Sequence, residues 1–250
     1  MRTANCECVF SHTTAALCLG ADVWDLDLGC IHLARFDHKS GRREAGVVQH
    51  RGLLAPIEVV DSGGLRYTNP VRTALDVTTL TDVEHGLVVV SSILHNNLTT
   101  KEDLREAACG MKHVPGSLTT DLVVQLADRR FDGPGEARTF YALWRGGVDA
   151  PVPQYPIRDR NGNIVALLDF AWPQHGVWLE FDGRTKYERL LKPGQSASQV
   201  VVREKAREDL VRRLTGWTCV RITWADLNHP GRVAALIRQA VADQVRRMAN

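Results

Sequence analysis

An α/β fold in two parts is what this chain predicts, and three observations carry that expectation. Its 250 residues, 44% hydrophobic and 24% charged, suit one large domain or two smaller ones, each able to bury a core. The second half reads as helix, three strands, helix, strand, helix, with turn signals between them. The first half mixes short apolar strands with capped helices. The domains expected are residues 1–112, a helical linker over 113–133, and residues 134–250.

The elements follow in chain order. "SHTTAALCLG" opens with Ser11 as a capping residue and closes at Gly20, a short helix. "GCIHLARF" and "AGVVQHRG" are strands around the polar loop "DHKSGRRE", the pattern of a hairpin. Gly63-Gly64 marks a turn, followed by a short strand and a helix after Pro70. Further helices are expected from Asp82, from the Thr-capped "TTKEDLREAA", and in "SLTTDLVVQLADRR".

From Pro134 the punctuation is sharper. "PGEARTFYALWRGG" is a helix between proline and glycines, and "PVPQYPIR" is an extended stretch limited by its prolines. The Asn-Gly turn of "DRNGN" joins that stretch to "IVALLDFAW" as a hairpin. "PQHG" turns into "VWLEFD". A long amphipathic helix, "SASQVVVREKAREDLVRRLT", then stops at Gly216, and strand "TCVRITW" precedes a final helix.

Composition excludes some classes of protein. No apolar run approaches the roughly 20 residues of a membrane-spanning helix, and "MRTANCECVF" lacks the pattern of a secretory signal, so the cytoplasm is the expected location. The six cysteines are scattered. Cys6 and Cys8 have no second pair to complete a zinc spacing, so free thiols in a reducing compartment are expected. The net charge of +2 is uneven: residues 1–130 hold 13 basic and 16 acidic side chains, residues 131–250 hold 18 and 13. The basic second half permits a polyanionic partner.

Chemistry is concentrated in "LLDFAWPQHGVWLEFDG". Asp169 interrupts one apolar strand, while Glu180 and Asp182 end the next, and burying an unpaired carboxylate is costly. Alternation places Trp178, Glu180 and Asp182 on one face. If the two strands pair through their four-residue turn, Asp169 approaches Glu180. Two carboxylates so close call for a cation, and a hard ion such as Mg2+ or Mn2+ suits oxygen donors. Hydrolysis of a phosphodiester is the chemistry such an ion supports. The alternative is that these acids face solvent or pair with arginines. The four tryptophans Trp172, Trp178, Trp217 and Trp224 lie within apolar runs and are expected in the core.

The combination "GPGE…PQY…LLDFAWP…WLEFDG…REKAREDLVRRLTGWTCVRITWADL" resembles the Vsr-like (very-short-patch-repair-like) group of the PD-(D/E)XK restriction-endonuclease superfamily. The resemblance covers roughly residues 131–248 and implies a restriction-endonuclease-like αβββαβ core. It implies a DNA endonuclease in phage defence, toxin–antitoxin function or repair, with Asp169 and Glu180 as the Mg2+ or Mn2+ ligands. Glu136 matches an accessory acid and Gln154 a polar position of the first strand. Asp182 stands where the superfamily pattern has lysine, and Lys186 lies near the position at which the Vsr-like group has a histidine. Lys186 would orient water or stabilise the transition state, with Lys205 the competing candidate. Arg184, Lys205 and Arg207 are the expected phosphate contacts. The other reading is a non-catalytic DNA-binding or antitoxin-type regulator that keeps the nuclease fold.

"FSHTTAALCLG" and "GLRYTNPVRTALDV" resemble the C-terminal domain of AbiEi-type (type IV) antitoxins over about residues 9–110. The pattern Thr68, Pro70, Arg72, Thr73 and Asp76 is the clearest element. Read from the residues alone, Pro70 starts a helix and Arg72 pairs with Asp76 four residues on. The resemblance implies a toxin partner. Only about ten residues precede the Ser-His-Thr helix, so the winged helix that usually leads this arrangement is expected to be missing.

Overall fold

A computed structural model of the chain describes residues 7–37, 41–51, 54–111, 114–183 and 197–249, with side chains of the long second-half helix described from residue 204. The chain divides into two compact units, Met1–Ala137 and Arg138–Asn250. Both are α/β.

In the first unit, β1 (Cys8–Phe10) leads into α1 (His12–Cys18), then β2 (Ile31–Arg35), β3 (Arg42–Glu44), β4 (Val47–Arg51), β5 (Val59–Ser62) and β6 (Leu65–Thr68). Helices α2 (Pro70–Thr78), α3 (Val83–His95), α4 (Lys101–Ala108) and α5 (Thr120–Leu126) follow. The six strands form one sheet in the order β3-β4-β2-β1-β6-β5. Gly63 and Gly64 both take positive φ and join β5 to β6 by a two-residue turn, the geometry glycine allows most readily. The helices pack through apolar faces in which Leu75, Val77, Leu87, Val89, Val90, Ile93, Leu104 and Val123 are buried. Helix α5, in the stretch expected to be a linker, packs on α3 and α4.

Two local expectations are corrected here. The strands "IHLAR" and "VVQHR" do not form a hairpin with each other. They run parallel, with Ile31 beside Val47 and Arg35 beside Arg51, because "RRE" becomes β3 and makes the tight antiparallel turn onto β4 through Gly46. The tight turn therefore falls at residues 45–46, just after the polar loop rather than within it. Ser11 occupies the N-cap of α1, but its side chain caps nothing and bonds to the His12 ring instead. The Thr cap of α4 is as expected, Thr100 forming a reciprocal capping box with Asp103, and Asn69 caps α2 by accepting from the Arg72 N–H.

Helix α6 (Pro134–Arg145) spans the division between the units. The second unit continues with β7 (Val152–Arg158), β8 (Ile164–Trp172), β9 (Val177–Asp182), α7 (Ala197–Thr215), β10 (Thr218–Thr223), the single-turn α8 (Trp224–Leu227) and α9 (Pro230–Ala249). The sheet order is β10-β9-β8-β7, with β9 and β10 parallel and the other pairs antiparallel. Asp159 organises the β7–β8 turn by accepting the N–H groups of Asn161 and Asn163, while Gly162 takes the left-handed conformation. Pro153 and Pro156 sit in β7, an edge strand, where a missing N–H is tolerated.

Trp172, Trp178, Phe170, Leu168, Leu179 and Ile222 are almost fully enclosed. Each such burial stabilises by about 1.5–3 kcal/mol. The Trp172 indole N–H donates to the Asp149 carbonyl at 2.7 Å, so its one polar atom is satisfied. Trp217 and Trp224 are half-buried.

Close approach fixes one residue at the end of α6. A Cβ placed on Gly146 would overlap the Cβ of Ala234, a buried residue of α9. Gly146→Ala is expected to destabilise the protein by about 1–3 kcal/mol through overpacking. Thermal unfolding of Gly146→Ala beside Gly147→Ala, whose effect is set by backbone strain at φ 63°, separates the two costs.

Among the described residues no helix is long and apolar enough to cross a membrane. The five described cysteines are free. Burial, with the charges of Glu208 and Glu180, pushes the Cys219 thiol up to about 12, which leaves it protonated and unreactive.

Candidate functional site

Strand pairing in the second unit gathers three of the residues singled out by sequence into one row. On β8 and β9, Phe170 lies beside Leu179 and Ala171 beside Trp178. The next step of that register sets Asp169 opposite Glu180, and opposite residues of an antiparallel pair face the same way. On β7 the register runs from Pro153–Phe170 to Tyr155–Leu168, which leaves Gln154 across from Asp169. On the other side Arg221 of β10 stands beside Glu180. The row therefore reads Gln154, Asp169, Glu180, Arg221.

Both central carboxylates are buried, Asp169 at 5% and Glu180 at 6% exposure. Each has a defined partner. The Phe181 N–H donates to Asp169 Oδ2 at 2.8 Å, beyond the last paired residues of the β8–β9 ladder. Glu180 Oε2 accepts from Arg207 Nη2 at 3.0 Å. Arg207 also donates to Glu204 at 3.1 Å and to the Leu167 carbonyl at 3.0 Å. Desolvation opposes the charge of this guanidinium, but the carboxylates of Glu180 and Glu204 outweigh it and hold its pKa above the ordinary arginine range. Its Nε is buried and unpartnered among the described residues. Arg221 forms its own pair with Glu208.

Gln154 carries a second distinction: its φ is +49°, a left-handed conformation that costs a non-glycine residue on the order of 1 kcal/mol. Asp182 is half-buried and shares the Glu180 face by alternation. Glu136 is buried near the start of α6, and its Oε2 accepts the Asp132 N–H at 3.0 Å within the first unit. Lys205 is exposed on α7. Arg207, expected among the phosphate contacts, is engaged with Glu180, Glu204 and Leu167. Lys186 and Arg184 lie outside the described residues.

In the first unit, α1 packs on α2, which brings together the stretches "HTTAALC" and "PVRTALDVT". Thr68 and Thr73 are buried and joined by a 2.7 Å hydroxyl contact. Arg72 Nε donates to Asp76 Oδ1 at 2.7 Å, the i,i+4 pair expected, and Nη1 reaches Glu58 at 3.2 Å. Asp76 is 4% exposed, and its second oxygen has no hydrogen-bond partner among the described residues. Arg72 favours the Asp76 charge, but burial dominates and pushes the carboxyl up to about 6.

A raised carboxyl pKa means that ionised Asp76 burdens the folded state. The burden is absent below the unfolded value near 4 and complete above about 6. Relative to the permanently neutral Asp76→Asn variant, the native protein should therefore lose up to about 3 kcal/mol of stability as pH rises from 4 to 6. Denaturant titrations of both proteins at pH 4, 5, 6 and 7 read that difference.

A third cluster was not expected. His12 at the start of α1, His32 on β2 and His50 on β4 offer ligating atoms that all lie within 4.8 Å of one another. The parallel register puts Ala34 beside His50 and His32 beside Val48, so both strand histidines share a face. Sequence gave a weak signal, because the three are spaced 20 and 18 residues apart and match no short ligand motif.

Comparison with protein-family models, curated proteins and solved structures finds no match. The chemistry of these sites therefore rests on their own geometry.

Proposed function

We propose that the second unit is a metal-dependent endonuclease-like domain acting on DNA phosphodiesters, with Asp169 and Glu180 as ligands for Mg2+ or Mn2+. The observation that carries this reading is the two buried acids on adjacent strands, Asp169 and Glu180, each one residue beyond the last pair of the β8–β9 ladder. Their all-oxygen donor set fits a hard divalent ion. When bound, such an ion neutralises charge on a phosphodiester and acidifies water.

The chain's own residues have separate tasks. Asp169 and Glu180 supply the negative site, and the Phe181 N–H fixes the Asp169 carboxylate. Gln154, in the same row, would orient a phosphate oxygen by hydrogen bonding. Asp182 adds charge beside Glu180. Lys186 would position the attacking water, and Lys205 and Arg184 would contact backbone phosphates. The first unit, with its Arg72–Asp76 pair, would serve as an antitoxin-like module that engages a toxin.

A second reading is favoured by one observation. Arg207 already supplies a cation to Glu180, as expected of a scaffold that has exchanged a metal for an internal charge. In that case the protein is a DNA-binding or antitoxin-type regulator. Incubation of the full chain with plasmid and with single-stranded DNA, in Mg2+, Mn2+ or EDTA, separates the two. Metal-dependent cleavage supports the nuclease. Salt-sensitive binding with no cleavage of either substrate supports the regulator.

A further inference from the structure

We infer that His12, His32 and His50 form a binding site for one divalent transition-metal ion of the zinc class, separate from the acidic row of the second unit. Their ligating atoms converge within 4.8 Å, and three imidazoles suit Zn2+, Co2+ or Ni2+ rather than Mg2+. Two imidazole nitrogens on a tetrahedral ion, at about 2.0–2.1 Å each, stand about 3.3 Å apart. His32 Nδ1 and His50 Nε2 are 2.9 Å apart, so a shift of a few tenths of an ångström admits an ion between them. Three protein nitrogens leave a fourth position for water.

The surroundings are those of a held site. His12 Nδ1 lies 2.9 Å from the Ser11 hydroxyl, which fixes the ring and leaves Nε2 for a ligand, the usual outer contact of a metal-binding histidine. The Ser11 N–H donates to the His32 carbonyl, and the His32 N–H donates to the Thr14 hydroxyl. The start of α1 is thereby tied to β2 at the ligand residue itself. His12 stacks on His50 with ring centroids 3.7 Å apart. It also holds a left-handed backbone, φ 51°, the kind of local strain that persists where surrounding structure enforces it.

Charge agrees with the geometry. Burial first, and then the neighbouring histidines and Arg72, lowers the His12 pKa well below its ordinary value. Burial and His32 bring His50 to about 4, and burial with Arg43 lowers His32 against the opposing charge of Asp27. All three rings are therefore neutral at pH 7, the form that donates a lone pair to a metal.

The test is titration of the chelator-washed full chain with Zn2+ and with Co2+ at pH 7.5. One equivalent is expected to bind and to shift the ring-proton NMR signals of His12, His32 and His50, with a Co2+ spectrum lacking thiolate charge-transfer bands. His12→Gln and His50→Gln are each expected to weaken Zn2+ binding at least about 100-fold. The Asp169→Asn/Glu180→Gln double variant should keep it, which separates this site from the acidic row. Absence of binding by the native chain overturns the inference, as do thiolate bands in the Co2+ spectrum or shifts confined to other histidines. Because the NMR reading uses unmodified protein, it holds even if a histidine variant fails to fold.

Discussion

Asp169→Asn and Glu180→Gln are each expected to lower Mg2+-dependent DNA cleavage by about 100- to 1,000-fold while leaving the fold intact. The magnitude follows from chemistry: a bound ion supplies several kcal/mol of transition-state stabilisation, and each factor of ten in rate is about 1.4 kcal/mol. Both substitutions keep side-chain shape, so the Phe181 N–H still finds an acceptor at residue 169. Neither leaves a new cavity in a region where Phe170 and Leu179 are fully enclosed. Initial rates on plasmid at fixed Mg2+, with circular dichroism as a control for folding, are the measurement. Cleavage at the native rate in both variants would sink the assigned site. Asp182→Asn should have the smaller effect, since Asp182 is half-buried at the strand end.

Arg207→Ala is expected to lower stability by about 2–3 kcal/mol, which corresponds to roughly 10 °C in Tm for a unit of this size. The cause is the partner left behind: Glu180, with a side chain only 8% accessible, loses its cation. Arg207 itself is 28% accessible, which places the cost below that of a fully buried pair. The same substitution discriminates between the two readings of the second unit. If Asp169 and Glu180 bind metal, millimolar Mg2+ should raise the Tm of Arg207→Ala more than that of the native chain, because the ion no longer competes with a guanidinium. If Arg207 has replaced the metal, Mg2+ should leave both melting curves unchanged. Differential scanning calorimetry with Mg2+ and with EDTA gives the answer.

Sequence was most informative where local chemistry alone decides structure. The Asn161-Gly162 turn, the Thr cap of "TTKEDLREAA" and the glycine pair at 63–64 are short-range devices, and each appears as read. Alternation likewise placed Glu180 and Asp182 on one face before any pairing was known. What failed was long-range. The partner of β2 depends on where the chain reverses, and the three-residue β3 carries too little apolar pattern to announce itself. Because the register of β4 on β2 was hidden, so was the common face of His32 and His50. His12 was hidden for another reason: Ser11 looked like a cap, yet its hydroxyl turns toward the imidazole. The Arg207–Glu180 pair joins residues 27 apart on a helix and a strand, a contact that charge pattern along α7 does not disclose.

The composition of β7 reaches beyond the site it borders. An edge strand normally presents a continuous run of main-chain donors and acceptors to any passing chain. Here two of the seven residues are prolines without an N–H, and Gln154 between them turns left-handed. A foreign strand approaching this margin meets an interrupted donor row and an irregular backbone at Gln154. The β7 margin is thereby a poor template for another strand, and Asp169 stands only one strand in from it.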